Sequence, residues 1–444
     1  MFRFVEVTAV TPSCLSKQFG VDPTGNFVAK PGGRVSKASA RVVTVETPAE
    51  FLDIIRRADA TKAFMYGVPT CLPSNVTEFE IWQKASIEKL PEITLDAKPG
   101  RSNINNRHVI SRTRGNFGWP DGSGGIMMLD YDPLPGEDVL DPDKLREKLW
   151  EAAPGLESAP YVMQPSNSSF LMDARTGAWI KESRGYHIYF FVRDPHLIEE
   201  AGKRLFSRLW VQGHGRCITS DAGIILQRSI VDASVWQPER LDFCGAPICK
   251  FPIVRKAPPA ALYNEESAPA VLSSVLPELT KEEAQQYEDR RIKARNAIYQ
   301  ESISKKAVWV ARRSEEIKGK DGSNHDLTNR QRTFIEAVER GVLYRDFPII
   351  LASGKTVTIG EILESPKKYN KTTCRDPLEP NYHNGALTGW INTESRPPYL
   401  RSLAHGGARY TLSAERTPTQ DTRSPHKEGA PSSKLSVGRA PEHR

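Results

Sequence analysis

Two aspartates one residue apart close an apolar run, Ile126-Met127-Met128-Leu129-Asp130-Tyr131-Asp132-Pro133. A buried carboxylate is costly unless a positive group meets it. On a strand, residues i and i+2 share a face, with Cα atoms about 6.5 Å apart at ~3.3 Å per residue. Two carboxylates so placed can reach one divalent ion or bridge two ions about 3.5–4 Å apart. Pro133 ends the strand and puts both acids at its C-terminal mouth, while Tyr131 points to the other face. An Asp-x-Asp pair alone leaves several chemistries open. Metal-dependent glycosyl transfer from a nucleotide-sugar and metal-dependent chemistry on a phosphate diester both use it.

Two further stretches narrow the field. Ser183-Arg184-Gly185-Tyr186-His187-Ile188-Tyr189 sets a Gly turn and a His at a strand start. Gly185 lets the backbone approach a ligand closely, and His187 can donate to a phosphate oxygen. In Arg228-Ser229-Ile230-Val231-Asp232, an acid follows apolar residues with no obvious turn, as a third metal ligand would. Arg112, Arg228 and Arg240 are candidates for template or triphosphate contacts.

In order and spacing, hydrophobic-Asp-x-Asp, Ser-x-Gly-x-His and hydrophobic-Asp with a following Pro-Glu-Arg-Leu resemble the archaeo-eukaryotic primase superfamily. The likeness is to the primase-polymerases of phages, plasmids and integrative elements. It covers about residues 1–250, and its flanks agree: Arg112-Thr113 with Phe117 and Pro120 before the first motif, Pro165-Ser-Asn-Ser-Ser-Phe170 before the second. The resemblance implies a template-dependent nucleotidyltransferase, a DNA primase and/or DNA polymerase of a mobile element. By position it implies Asp130, Asp132 and Asp232 as ligands of Mg²⁺ or Mn²⁺, two ions in all. It implies His187 on the phosphates of an incoming dNTP or NTP, with Ser183 and Gly185 shaping that turn. The implied partner is a single-stranded DNA template. Many relatives continue into a helicase with a Gly-x-x-x-x-Gly-Lys-Ser/Thr loop; this sequence has none, so unwinding would come from a separate chain. Two rivals stand beside this reading. One is a non-catalytic replication-initiation or single-stranded DNA-binding protein on the same fold. The other is a glycosyltransferase, which leaves Ser183–His187 and Asp232 unexplained.

The elements that must position these residues are legible along the chain. Phe-Val-Glu-Val-Thr-Ala-Val (4–10) alternates as a strand, and Thr47-Pro-Ala-Glu-Phe starts a capped amphipathic helix. The short Ala63–Pro69 run is another strand, and the polar residues 96–108 read as a loop. Asp141-Pro-Asp opens a helix; His187–Val192 has the aromatic and β-branched content of a buried strand; Pro195–Gly213 is strongly amphipathic. Strands and helices out of strict alternation predict an α+β fold, a largely antiparallel sheet flanked by helices. The expected organisation is a catalytic domain over 1–254 and a linker and long charged helix over 255–324. A small C-terminal accessory domain over 325–412 and a disordered tail over 413–444 complete it. In the accessory domain, the Cys374–Asn392 and Arg401–Leu412 stretches are similar to a segment that often follows the polymerase domain in such proteins. There His405 with Gly406-Gly407 reads as a turn.

The bulk numbers agree. The chain has 444 residues, a formal charge of +7 and 39% hydrophobic residues, which leans toward a polyanionic partner. No run of ~18 apolar residues predicts a membrane span. Six scattered cysteines read as reduced and cytoplasmic. Cys244 and Cys249 with Cys217 or His214 match no usual zinc-ligand spacing.

Overall fold

The computed structural model describes residues 1–33, 35–87, 101–104, 107–133, 137–321, 327–404 and 408–414. The His405–Gly407 turn and the tail from Glu415 lie outside the described residues. The fold is α+β with several antiparallel sheets. Among the described residues, no helix is long and apolar enough to cross a membrane.

Two sheets carry the N-terminal unit. A six-stranded sheet runs in the order Lys62–Met65, Phe2–Thr11, Lys37–Val45, Glu78–Trp82, Arg107–Ser111, Arg101–Ile104. A four-stranded, wholly antiparallel sheet runs Gly125–Tyr131, Tyr186–Val192, Tyr161–Pro165, Ala261–Tyr263. Alternating apolar residues of Phe2–Thr11 and the continuous run of Tyr186–Val192 bury their faces together with the helix Pro48–Arg57. Phe51 lies at the junction, in edge-to-face contact with Phe4 at 5.3 Å, Tyr189 at 5.5 Å and Phe191 at 5.6 Å. Such pairs contribute about 0.5–1.5 kcal/mol each beyond burial. Thr47 caps this helix through its hydroxyl to the Glu50 amide, and Asp141 caps the helix Pro142–Ala152 through Lys144, as the sequence predicts.

The helix Ile198–Val211 covers the same core. Its Gly202 sits against the Trp236 ring; a Cβ there would come within 2.6 Å of Trp236 Cε2, and closer still to neighbouring ring atoms. Trp236 in turn donates its indole N–H to the Met128 carbonyl at 3.0 Å, two residues before Asp130. Gly202→Ala is therefore expected to lower stability by about 1–3 kcal/mol, the usual penalty for overpacking, read as a fall in the urea midpoint at unchanged slope. An unchanged midpoint would show that Trp236 is free to move and does not brace the acid strand.

Three expectations need correcting. Within residues 96–108, expected to be loop, Arg101–Ile104 and Arg107–Ser111 pair as a hairpin at the sheet edge, while 96–100 and 105–106 lie outside the described residues. The Ala/Pro-rich start of 255–324 is not a linker. Ala261–Tyr263 joins the four-stranded sheet, Tyr263 stacks on Tyr161 at 4.8 Å, and Ala260, Ala270, Leu272 and Leu276 enter the main core. The long charged helix is two, Lys281–Ala297 and Tyr299–Asp321. The first buries no residue, but the second sinks Trp309 into the C-terminal core, where its indole donates to the Leu378 carbonyl at 3.0 Å. That core lies under a five-stranded sheet built on Thr373–Cys374, Gly389–Asn392, Tyr399–Ser402, Ala408–Ser413 and Val342–Tyr344.

Candidate active site

The strands Gly125–Tyr131 and Tyr186–Val192 pair in a register that sets Asp130 directly opposite His187. Because side chains alternate, the two share one face of the sheet. Gln164 lies across from His187 on the next strand, so the three form one cross-strand row. His187 Nε2 stands 3.6 Å from Asp130 Oδ1, an ion-pair distance too long for a hydrogen bond.

Asp232 reaches this place by another route. Its amide donates to the Asp130 carbonyl at 2.9 Å, which ties the 232–236 turn to the end of the acid strand. Contrary to expectation, Asp232 does sit in a turn: its carboxylate accepts from the Ser234 amide at 2.9 Å and the Ser234 hydroxyl at 2.8 Å. Val231, Val235 and Trp236 are buried beneath it, and Asp232 itself is exposed. Asp132 is exposed just beyond the strand end.

The electrostatics follow from this crowding. The Asp130 side chain is 26% exposed. Burial raises its carboxyl, and repulsion from Asp232, Asp132 and Asp242 adds to it against the pull of His187, leaving the group at about 6. Burial alone would lower His187; the Asp130 and Asp242 carboxylates outweigh it and lift the imidazole to about 9. At neutral pH, His187 is a cation between two carboxyl groups.

Asp242 is the residue that sequence reasoning missed. An isolated bridge to Phe64, with hydrogen bonds of 2.9 and 2.8 Å, fixes its backbone to the six-stranded sheet. Its carboxylate, 1% exposed, points to the other sheet: Oδ1 lies 3.2 Å from His187 Nδ1. Oδ2 accepts from Tyr66 at 2.6 Å and Tyr189 at 2.8 Å. Burial and this carboxylate push both phenols well above their usual range. The available signal was an acid four residues after Pro238 in an apolar setting, Leu241-Asp242-Phe243.

The remaining candidates fall in different places. Gly185 makes a close approach to this chain's own backbone: a Cβ there would strike the Tyr131 carbonyl and lie 3.1 Å from Ser166 Oγ. The Ser166–Ser169 turn wraps it, with Ser169 Oγ accepting from the Arg184 and Gly185 amides at 3.1 and 3.2 Å. Ser183 Oγ lies 2.7 Å from the Tyr186 hydroxyl. Arg112 donates to the Glu239 carbonyl at 2.8 Å, Arg228 to the Gln227 carbonyl at 2.9 Å within its hairpin, and Arg240 is exposed. Two further cations stand near the acids. Arg184 donates to the Pro133 carbonyl at 3.2 Å. Burial, Arg184 and Lys17 together lower the Lys181 ammonium, while Asp132 supports it. Across Asp132, a cleft of about 260 Å³ is lined by Tyr131, Lys148, His214, Arg216 and Ser229.

Among the described residues, no set of three or more His, Cys, Asp and Glu side chains closes into a metal cage. Cys244 is buried and Cys217 and Cys249 partly so, and burial pushes all three thiols up. The acids instead form an open mouth, in which Asp130 is crowded by like charges and Asp132 and Asp232 are exposed. Compared with protein families, curated proteins and solved structures, the chain matches none.

Proposed function

We propose that this chain is a template-dependent nucleotidyltransferase, a DNA primase and/or DNA polymerase of a mobile-element replication system. One observation carries the reading: Asp130, Asp232 and His187, separated by up to 102 residues in sequence, meet at one strand end through strand register and a backbone hydrogen bond. The donor set fits a divalent cation. Hard carboxylate oxygens suit Mg²⁺ or Mn²⁺, and a cation at Asp130, Asp132 and Asp232 would relieve the repulsion that holds the Asp130 carboxyl near 6. When bound, such ions favour deprotonation of an attacking 3′-hydroxyl and cover charge on departing pyrophosphate.

The protein's own groups do the rest. His187, kept protonated at neutral pH, directs its Nε2–H to the mouth, where it can meet an anionic oxygen. Lys17, Lys181 and Arg184 add positive charge on the side of Asp132, a field suited to the triphosphate of a dNTP or NTP. The cleft beyond Asp132 gives room for part of a nucleotide. Positioning of this kind supplies much of the rate in phosphoryl transfer.

The test is incorporation of labelled dNTPs and NTPs on a single-stranded template, with and without a primer. Synthesis is expected with Mg²⁺ or Mn²⁺ and none after chelation. A protein that incorporates nothing under any of these conditions, yet binds single strands without metal, is instead the non-catalytic binding protein. Preferential binding of a sugar nucleotide over dNTPs would favour glycosyl transfer.

A further inference from the structure

Directly after Asp242 the chain runs out along an unusual edge. Phe243 is 39% exposed, Ile248 36% and Phe251 76%. Single exposed apolar residues are ordinary; these three fall within nine residues of one another. The segment is not loose. Asn167 donates to the Phe243 and Gly245 carbonyls, both at 2.7 Å, and Ala246 donates to Ala58 at 3.0 Å. Ile248–Cys249 then pairs with Gln18–Val21, which pairs with Phe27–Lys30.

This small sheet has a buried face and an open one. Phe19 and Cys249 turn inward, onto Leu171 and Ile253. In the neighbouring register row, Ile248, Gln18 and Lys30 lie side by side. Beyond them, Lys250 donates its amide to Phe19 at 2.8 Å, and its side chain passes over Gly20. Lys30, Lys250 and Phe251 are exposed, and neither lysine has a carboxylate partner among the described residues. The edge thus carries rings and unmatched cations, and it begins one residue from the carboxylate that grips His187.

We propose that Phe243, Ile248, Lys250 and Phe251, with Lys30 across the small sheet, form the track on which a single-stranded nucleic acid approaches the acid mouth. Bases stack on aromatic faces whatever their sequence, and phosphates meet the lysines. The inference rests on the nucleotidyl-transfer reading of the adjacent acids. A protein partner would also bury apolar residues, but the unmatched lysines interleaved with the rings favour a polyanion.

The test is fluorescence anisotropy with a labelled oligothymidine and the full chain, beside the incorporation assay. Phe243→Ala with Phe251→Ala is expected to weaken binding about tenfold or more, since stacking contributes ~1–3 kcal/mol per base, while Phe251→Trp binds as wild type. Lys30→Ala with Lys250→Ala is expected to flatten the dependence of log K on log salt by about 1.4, at ~0.7 per phosphate contact on a single strand. Asp130→Ala is expected to lose synthesis and keep binding. Aromatic variants that stay folded by circular dichroism yet bind oligothymidine as wild type overturn the track, even where synthesis proceeds, and would point to a protein partner on this edge. Weakened binding in those variants, in a protein that makes no product, upholds the track and defeats the polymerase reading.

Discussion

Asp130→Asn is expected to reduce nucleotide incorporation by about a hundred- to a thousandfold, the scale of losing one preorganised group aimed at the reacting atoms, while making the metal-free fold more stable. The two effects share one cause. The folded protein holds the Asp130 carboxyl at about 6, above its ordinary 3.8, so the native state binds the proton more tightly than the unfolded chain does. Stability attributable to this group is therefore present at low pH and is lost as pH rises from about 4 through about 6. Above that window the ionised carboxyl weakens the fold by an amount on the order of 2–3 kcal/mol, at 1.36 kcal/mol per unit. Asparagine has nearly the same shape and no charge. Urea midpoints should be higher for the variant than for the wild type at pH 8 in chelator, and the gap should close near pH 4. A variant that is less stable at pH 8, or that still incorporates nucleotides, would contradict the crowding argument. Divalent cation should narrow the gap from the other side, by stabilising only the wild type.

The acids and the histidine could be read from the sequence because each ends or begins an apolar run. A charge in that position is expensive, and the expense marks it. The same logic singles out Asp130, Asp132, His187 and Asp232 as candidates. It did not distinguish roles. Gly185 marks a close backbone approach, and the sequence does not show that the neighbour is the Tyr131 carbonyl. Arg112 and Arg228 looked available and are engaged with backbone carbonyls, whereas Lys17 and Lys181, at the mouth, carry no local mark. Cations are placed by the tertiary fold, and a lysine in a polar stretch reads the same wherever it points.

The fold shows a similar division. Strands and helices with strong periodicity, such as Phe2–Thr11, Pro48–Arg57 and Ile198–Val211, form where predicted. The segment after Arg255 was hidden by composition: Ala and Pro suggest a linker, and only the sheet edge at Tyr161–Met163 makes Ala261–Tyr263 a strand. Trp309 was hidden by charge, since one buried indole in a polar helix does not move the average. Both depend on non-local partners, which a window of neighbouring residues does not contain.

Asp242 is the clearest such case and yields the second large prediction. Its partners come from 53, 55 and 176 residues away in the chain, so the one local sign, an acid between Leu241 and Phe243, does not reveal what it holds. Asp242→Asn would remove the negative charge beside His187 Nδ1 and, with its N–H₂ at the Oδ2 position, set that group against two phenol donors. Breaking a buried pair on one side typically costs about 3–5 kcal/mol. The His187 imidazole should fall from about 9, since burial disfavours its charge and only Asp130 would remain to support it. The sign of the pH effect is then fixed. A raised folded value means that the wild type enjoys this stabilisation fully below about 6.5, the unfolded value, and loses it as pH climbs through about 9. The variant should show little of that decline. Ring-proton NMR of His187 together with urea midpoints from pH 6 to 10 would read both. If incorporation requires the imidazolium, the alkaline limb of its pH profile should move down by the same interval as the ring titration. An imidazole that still titrates near 9 in Asp242→Asn would mean that Asp130 alone sustains the charge, and that the two sheets are not coupled through His187.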